Sequence, residues 1–325
     1  MTQTRSVLTI GTFDGVHAGH AALLSRARTL ASAGDAQVVA MAFDPHPLTI
    51  LRPEQAPARL TSFQDRERLL KAAGADIVIR LEPTAEFLSL SPCQFLDRVC
   101  REWSPHAFVE GPDFRFGKGR TGDIEFLRER GRTAGFEVEV VQPITVILGD
   151  HTVAPASSTL ARWLISHGRI ADATVVLGHP CELAGTVEQG DRRGRTIGFP
   201  TANLRTDCLL PADGVYAAEA ILDDGRSFTA AVSVGTKPTF EGTRRALEAL
   251  LLDAPADESR LVGLPEYGWN LRLRIIAWVR EQVRFSSVKA LVEQMHRDCV
   301  RIRTLTGEPG LPSTSTNRLE TPACR

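Results

Sequence analysis

His17 and His20 stand three residues apart in GTFDGVHAGH (11–20), framed by Gly11, Gly15 and Gly19 and preceded by the apolar run Val7–Ile10. The pattern reads as a first strand turning into a first helix. A helix N-terminus offers unpaired backbone N–H groups and a partial positive charge, so it takes phosphate readily. Glycines there let the backbone approach a ligand that a Cβ would exclude. Imidazoles at i and i+3 share one face of the first turn. Aimed at one phosphate, they stabilise the charge of a five-coordinate phosphorus. The spacing predicts phosphorus transfer at this turn. Against it stand two ordinary helix-start histidines, or a metal pair with no third ligand close in sequence.

Three further sets of residues suit the same chemistry. Ser157, Ser158 and Thr159 with Arg162 place hydroxyls and a guanidinium about one turn apart, as a polyphosphate requires. Thr201 and Asn203, in FPTAN (199–203), offer hydroxyl and amide oxygens, hard donors suited to a cation, with a simple turn opening a strand as the alternative. Glu248 is a carboxylate in the apolar stretch LEALLLD (247–253); burying it is costly, which argues for a task, with an edge-strand exposure as the plain competitor.

The elements that must hold these residues change character along the chain. Val7–Ile10, Gln37–Phe43, Ile77–Ile79 and Ala107–Glu110 read as buried strands, alternating with helical stretches at Ala21–Ala31, Ser62–Ala73 and Pro92–Trp103. That alternation predicts a parallel sheet with helices on both faces. Ligands bind beyond the carboxyl ends of such strands. The histidine turn, the DPHP turn (44–47) and the loop after Val109 all fall at that edge. From about residue 182 strands dominate: Val215–Leu222, Phe228–Val234, Leu247–Leu252 and Leu271–Val279. In the last of these Leu271, Leu273, Ile275, Ala277 and Val279 share one face and Arg272 and Arg274 the other, which predicts an antiparallel, half-exposed strand. A closing helix carries Val288, Leu291, Val292, Met295, Cys299 and Ile302 on one stripe.

Two domains are therefore expected, 1–180 and 181–305, with the junction near Gly178–Glu182 and a Gly/Pro/Ser/Thr-rich, disordered tail over 306–325. A length of 325 residues with 43% hydrophobic content supplies a core for each. The balance of 38 basic against 39 acidic residues argues against a nucleic-acid or membrane-surface binder. The N-terminal apolar stretch is too short for a signal segment, and no run reaches membrane-span length. Six cysteines without a CxxC pair read as free thiols in a reducing cytoplasm.

GTFDGVHAGH, FDPHP (43–47), GPDFRFGKGRTGD (111–123) and SSTLAR (157–162) occur in the order found in the adenylyltransferase module of the bacterial bifunctional riboflavin kinase/FAD synthetase family. GRTIGFPTANL (194–204), DGVYAA (213–218), SVGTKPTF (233–240), LEALLLD and REQVRFSS (280–287) resemble its kinase module. The resemblance covers residues 7–305. It implies a Rossmann-like α/β domain followed by a helix-capped antiparallel β-barrel. It also implies two reactions: phosphorylation of riboflavin to FMN with MgATP, then adenylylation of FMN to FAD with release of pyrophosphate.

The implied roles follow motif by motif. His17 and His20 contact the ATP phosphates; Gly11, Phe13, Asp14 and Gly19 shape the cradle, although Phe13 and Asp14 are equally explained as turn-makers. His46 stands beside the flavin phosphate or in a structural turn. Asp113, Phe114 and Phe116 lie near flavin and adenine, or form local core. Ser157, Ser158, Thr159 and Arg162, with Gly194 and Thr196 of the second module, bind nucleotide phosphates. Thr201 and Asn203 hold Mg²⁺, Glu248 activates the ribityl hydroxyl, and Arg280 stands near flavin or nucleotide, or in a surface salt bridge. No tightly bound cofactor is implied; the partners are riboflavin, FMN and ATP. Departures from the family pattern fall at Ala161, at His179 and Cys181 (usually Arg and Tyr), at Leu250, and in the longer 254–266 segment. Three other functions stay open: a single retained activity, another HxGH nucleotidylyltransferase, or a non-catalytic flavin-binding regulator.

Overall fold

The computed structural model describes residues 5–190, 199–239, 242–252, 254, 256–257, 260–261 and 263–307. Four apolar runs and one shorter segment form the parallel strands β1 (Ser6–Gly11), β2 (Gln37–Phe43), β3 (Ile77–Leu81), β4 (Pro105–Glu110) and β5 (Glu137–Val140). Their spatial order is β3-β2-β1-β4-β5. Helices α1 (Ala18–Gly34), α2 (Leu48–Leu51), α3 (Phe63–Ala72), α4 (Ala85–Leu88), α5 (Pro92–Trp103) and α6 (Ile124–Ala134) lie between them. One core, with Val7, Leu24, Ala40 and Leu70, lies on one side of the sheet; the other holds Leu8, Met41, Phe95 and Leu127. Opposite faces of each strand are thus buried, as the near-continuous apolar runs require.

The order of the strands reverses between β1 and β4, the place where such sheets open a ligand crevice. β1 pairs with β2 as far as Gly11–Ala42, but with β4 only as far as Leu8–Phe108. Beyond that point the Ile10 N–H donates instead to the Glu110 carboxyl at 2.8 Å. Glu110 is 2% exposed, and burial pushes its pKa well above the usual carboxylate range while the Ile10 hydrogen bond pulls it back.

A hairpin, β6 (Thr145–Ile147) with β7 (Val153–Pro155), leads into α7 (Ser158–Ser166) and α8 (Ile170–Leu177). Gly178, at φ 76°, ends α8. A closed barrel follows, built from β8 (Cys181–Glu188), β9 (Ala202–Arg205), β10 (Gly214–Leu222), β11 (Ser227–Thr239), β12 (Gly242–Leu251) and β15 (Asn270–Arg280), in the order β10-β11-β12-β9-β8-β15. Within the 254–266 segment, β13 (Ala256–Asp257) pairs with β14 (Arg260–Leu261). The last helix, α9 (Val288–Gly307), packs Cys299 and Ile302 on the outside of the barrel.

Leu164, Ile165, Ile170, Ala173 and Val176 of α7 and α8 belong to the same apolar cluster as Leu183, Tyr216, Leu273 and Ile275 of the barrel. The core therefore runs across the Gly178–Cys181 junction. The outer face of β15 differs from its expectation. Arg272 is not left to solvent: it pairs with Asp65 of α3 at 2.9 Å, and Arg274 pairs with Glu219 at 2.7 Å and Glu182 at 3.3 Å. Arg68 of α3 pairs with Glu182 as well. The polar period of β15 is the seam between the two halves.

Candidate active sites

The loop from β1 to α1 is held by a buried carboxylate. Asp14, 5% exposed, accepts hydrogen bonds from Leu60 N (3.0 Å), Thr61 N (3.1 Å) and Thr61 Oγ1 (3.2 Å), and pairs with Arg162 at 2.6 Å. Ser158 Oγ donates to its carbonyl at 2.7 Å. Gly15, at φ 80°, lets the chain reverse into α1.

His17 is the N-cap of α1: its Nδ1 accepts the Gly19 N–H at 3.1 Å, which leaves the imidazole proton on Nε2. A Cβ at residue 19 would stand 3.0 Å from this ring, so a larger residue there would press on the capping imidazole. His20 stacks on His17 with ring centroids 3.6 Å apart, and Phe13 meets His20 edge-on at 5.0 Å. Burial, then Arg162, lowers His17 to about 4; burial, then His17 and Arg66, holds His20 well below the imidazole range. Both rings are neutral at pH 7, and His20 Nδ1 is buried without a hydrogen-bond partner.

The other predicted residues gather unevenly at this edge. His46 Nδ1 accepts the Leu48 N–H at 3.1 Å. Its pKa is lowered by burial and by Arg162, raised by Asp14, and lowered again by Arg66 and Arg120. Ser157 caps α7 by accepting the Leu160 N–H, Thr159 is exposed, and Arg162 Nε also donates to Ala58 O at 2.7 Å. Phe116 is 6% exposed, in a cluster with Phe95 and Phe126, and stacks on the less buried Phe114 at 5.4 Å; Asp113 is exposed. Gly11 faces the Phe13 ring. Arg66 and Arg120 were not singled out in the sequence. Arg66 sits four residues before the buried Leu70, on the apolar stripe of α3, and that position was its one signal. Arg66, Arg120 and Arg162 bring positive charge to the histidine turn, where Asp14 pairs with Arg162 and both Asp14 and Asp44 lie beside the buried Arg66.

The second site lies on the outside of the barrel. Register places Ser233 opposite Glu248, and Glu248 opposite Asn203, on three adjacent strands. Directly opposed residues share a face, so hydroxyl, carboxylate and amide form one row. Thr201 is two residues before Asn203, and Asn203 lies so close over Gly190 that a Cβ there would overlap its amide. Gln282 donates to Ser233 Oγ at 2.9 Å. Beside this row is a cavity of about 600 Å³ lined by Val215, Ser233, Arg280, Gln282, Phe285 and Leu291. Arg280 is held by Asp298 at 2.7 Å, with its guanidinium 5.7 Å from the Phe285 ring centroid. Thr201 and Asn203 are hard oxygen donors of the kind a divalent cation takes when nucleotide phosphates complete its shell, and Glu248 is the carboxylate opposite Asn203. No group of three or more His, Cys, Asp or Glu able to hold a metal exists among the described residues. Gly194 and Thr196 lie outside the described residues.

The departures settle into packing. His179 Nε2 lies 2.9 Å from Gly15 O, tying the junction after α8 to the histidine loop. Leu250 fills an apolar contact with Phe199 and Cys299, Cys181 is buried in the core shared with α8, and Ala161 is fully buried.

Two separate polar sites on one chain, one at a parallel-sheet switch point and one on a six-stranded barrel, fit a two-site transferase. The family model described as FAD synthetase matches residues 1–154, and the one described as riboflavin kinase matches residues 177–306. The bifunctional riboflavin kinase/FMN adenylyltransferase of Escherichia coli (strain K12) is 36% identical over 308 residues, covering 94% of each chain. That of Bacillus subtilis (strain 168) is 31% identical over 303 residues, covering 91% of each. A solved structure described as a macrolide-efflux protein from Streptococcus pneumoniae is 30% identical with a TM-score of 0.80, covering 93% of this chain and 95% of its own. No helix among the described residues is long and apolar enough to cross a membrane. The chain belongs to the bifunctional riboflavin kinase/FMN adenylyltransferase family.

Proposed function

We propose that the barrel site phosphorylates riboflavin to FMN and that the parallel-sheet site converts FMN to FAD. The supporting observation is the pairing, on one chain, of a stacked histidine pair at a sheet switch point and a separate row of Ser233, Glu248 and Asn203 beside a cavity of about 600 Å³. In the barrel, Glu248 takes the proton of the ribityl hydroxyl as its oxygen attacks the γ-phosphorus, and ADP leaves. Thr201 and Asn203 would hold Mg²⁺ there, which neutralises phosphate charge when bound. Arg280, with Phe285, borders the flavin; Gly194 and Thr196 belong to the nucleotide side of this site.

In the first site a flavin phosphate oxygen attacks the α-phosphorus of ATP and pyrophosphate leaves. His17 donates from Nε2 to the nucleotide phosphates, and His20, stacked on it, contacts them as well. Because both are neutral, they donate without competing for the proton of a leaving group; positioning and charge neutralisation supply the catalysis. Arg162, Ser157, Ser158 and Thr159 flank the polyphosphate, His46 the flavin phosphate, and Asp113 with Phe114 and Phe116 the ring systems. Asp14 holds the loop rather than the ligand. The domain limits 1–180 and 181–305 assign each site its chain segment, and the substrates and the free thiols Cys93, Cys100, Cys181, Cys208 and Cys299 suit a cytoplasmic enzyme.

The test is incubation of the purified chain with riboflavin, ATP and Mg²⁺, with flavins separated by chromatography. FMN followed by FAD is expected. Flavin binding without turnover would overturn the proposal in favour of a regulator, and FAD formed only from supplied FMN would leave one activity.

A further inference from the structure

Arg66 lies in α3, outside every motif, and is 3% exposed. Its Nη1 donates to Thr12 O at 3.0 Å and to Phe43 O at 2.8 Å, and its Nη2 to Thr61 O at 3.3 Å. The same guanidinium stands 3.6 Å from Asp14 and 3.5 Å from Asp44, which is 1% exposed and also pairs with Arg59 at 2.9 Å and Arg80 at 2.6 Å. These contacts have a topological meaning. The β1–β2 ladder ends at Gly11–Ala42, so Thr12 opens the histidine loop, and Phe43, the last residue of β2, leads into the Asp44–Pro47 turn. Backbone pairing stops at the point where the two loops must be held apart by a fixed amount. One planar fork takes over from the ladder, a task for which a lysine's single ammonium lacks the geometry.

We propose that Arg66 is a positioning residue for adenylyl transfer, fixing the histidine loop that carries the nucleotide phosphates relative to the turn that carries the flavin phosphate. The inference rests on the adenylyl-transfer function proposed above. That step joins two phosphates held by different loops, and its rate depends on the in-line approach of one to the other. Arg66 also acts electrostatically on His20. The charged and titratable groups around that ring are His17 on its own helix and Arg66 from α3, with Asp14 and, beyond His17, Arg162 from α7. A cation at Arg66 favours the neutral ring.

The two effects separate in two variants of the full chain. Arg66→Met removes both fork and charge; Arg66→Lys keeps the charge and removes the fork. FAD formation from FMN and ATP is measured beside riboflavin phosphorylation, thermal melting, and the NMR titration of His20. In both variants kcat for FAD formation is expected to fall roughly 10- to 100-fold, with KM for FMN and ATP changed by less than about threefold and FMN formation unchanged. The His20 midpoint moves up in Arg66→Met and returns toward the wild-type value in Arg66→Lys, while kcat does not return. Where Arg66→Met fails to fold, Arg66→Lys carries the kinetic arm and its unmoved His20 midpoint the electrostatic one. Wild-type kcat in Arg66→Lys would overturn the inference, as would equal losses in both activities that track the melting temperature. Wild-type protein that makes no FAD from FMN would overturn the functional proposal first, and this inference with it.

Discussion

At the mouth of the parallel sheet, Asp14, Asp44 and Arg66 are almost wholly buried and Arg162 partly so, and they lock three loops to one another. On the barrel, Ser233, Glu248 and Asn203 owe their alignment to strand register, and the cavity beside them opens between strands and a helix. The first site is organised by charge pairs between side chains far apart in sequence; the second by backbone hydrogen bonds that any residue makes. The consequence is a difference in tolerance. A side chain in the barrel row can be changed without disturbing the scaffold, whereas a change in the sheet's charge web disturbs chemistry and stability together.

The largest effect expected from this contrast is chemical. Glu248→Gln should lower FMN formation by about 10³-fold while leaving FMN-to-FAD conversion and the melting temperature intact, read by chromatography and calorimetry. His20→Ala should lower FAD formation by about 10²-fold and spare the kinase, so that FMN accumulates. If each variant loses both steps equally, the two sites are not separate. Asp14→Ala should cost about 3 kcal/mol of stability because Arg162 and Arg66 lose a buried partner, measured by denaturant unfolding; a loss as small as that of Glu248→Gln would erase the contrast.

A smaller effect is in pH dependence. Unfolded His17 takes a proton near pH 6.5, but folded His17 only near 4, so between these values the unfolded chain binds more protons. Stability should fall as pH drops from 6.5 to about 4, and His17→Gln should flatten that slope in urea titrations. Smallest of all, Arg272→Met at the seam should cost about 0.5–1 kcal/mol, less at high salt, with both activities retained.

Much of this was legible because function requires unusual local residues. His17, Gly19 and His20 announce a phosphate turn, and the alternation in 271–279 announces a strand. The parts that stayed hidden depend on distant partners. α8 (IADATVVL) reads as β-branched, yet it is helical because Ile170, Ala173, Val176 and Leu177 meet the barrel core. β8 carries a glycine at 185 that weakens any strand pattern; its reason is the backbone of Arg205, which leaves no room for a Cβ. Arg66 shares the Phe63–Leu70 stripe of FQDRERLLKA (63–72), which hints at burial, but only the fold brings Asp14 and Asp44 to it.

α7 has two allegiances. Near its start Ser158 and Arg162 hold Asp14 of the histidine loop, while Leu164 and Ile165 are buried with the barrel. The helix also falls between the two stretches matched by the family models, 1–154 and 177–306. Anyone dissecting the chain faces a choice with no clean answer. A cut near residue 180 strips apolar cover from the barrel, exposing residues worth roughly 2 kcal/mol each when buried, and a cut near 155 takes Arg162 from Asp14. The two catalysts are separable in chemistry but share one piece of material, so the isolated halves should be less soluble and less stable than the whole enzyme from which they came.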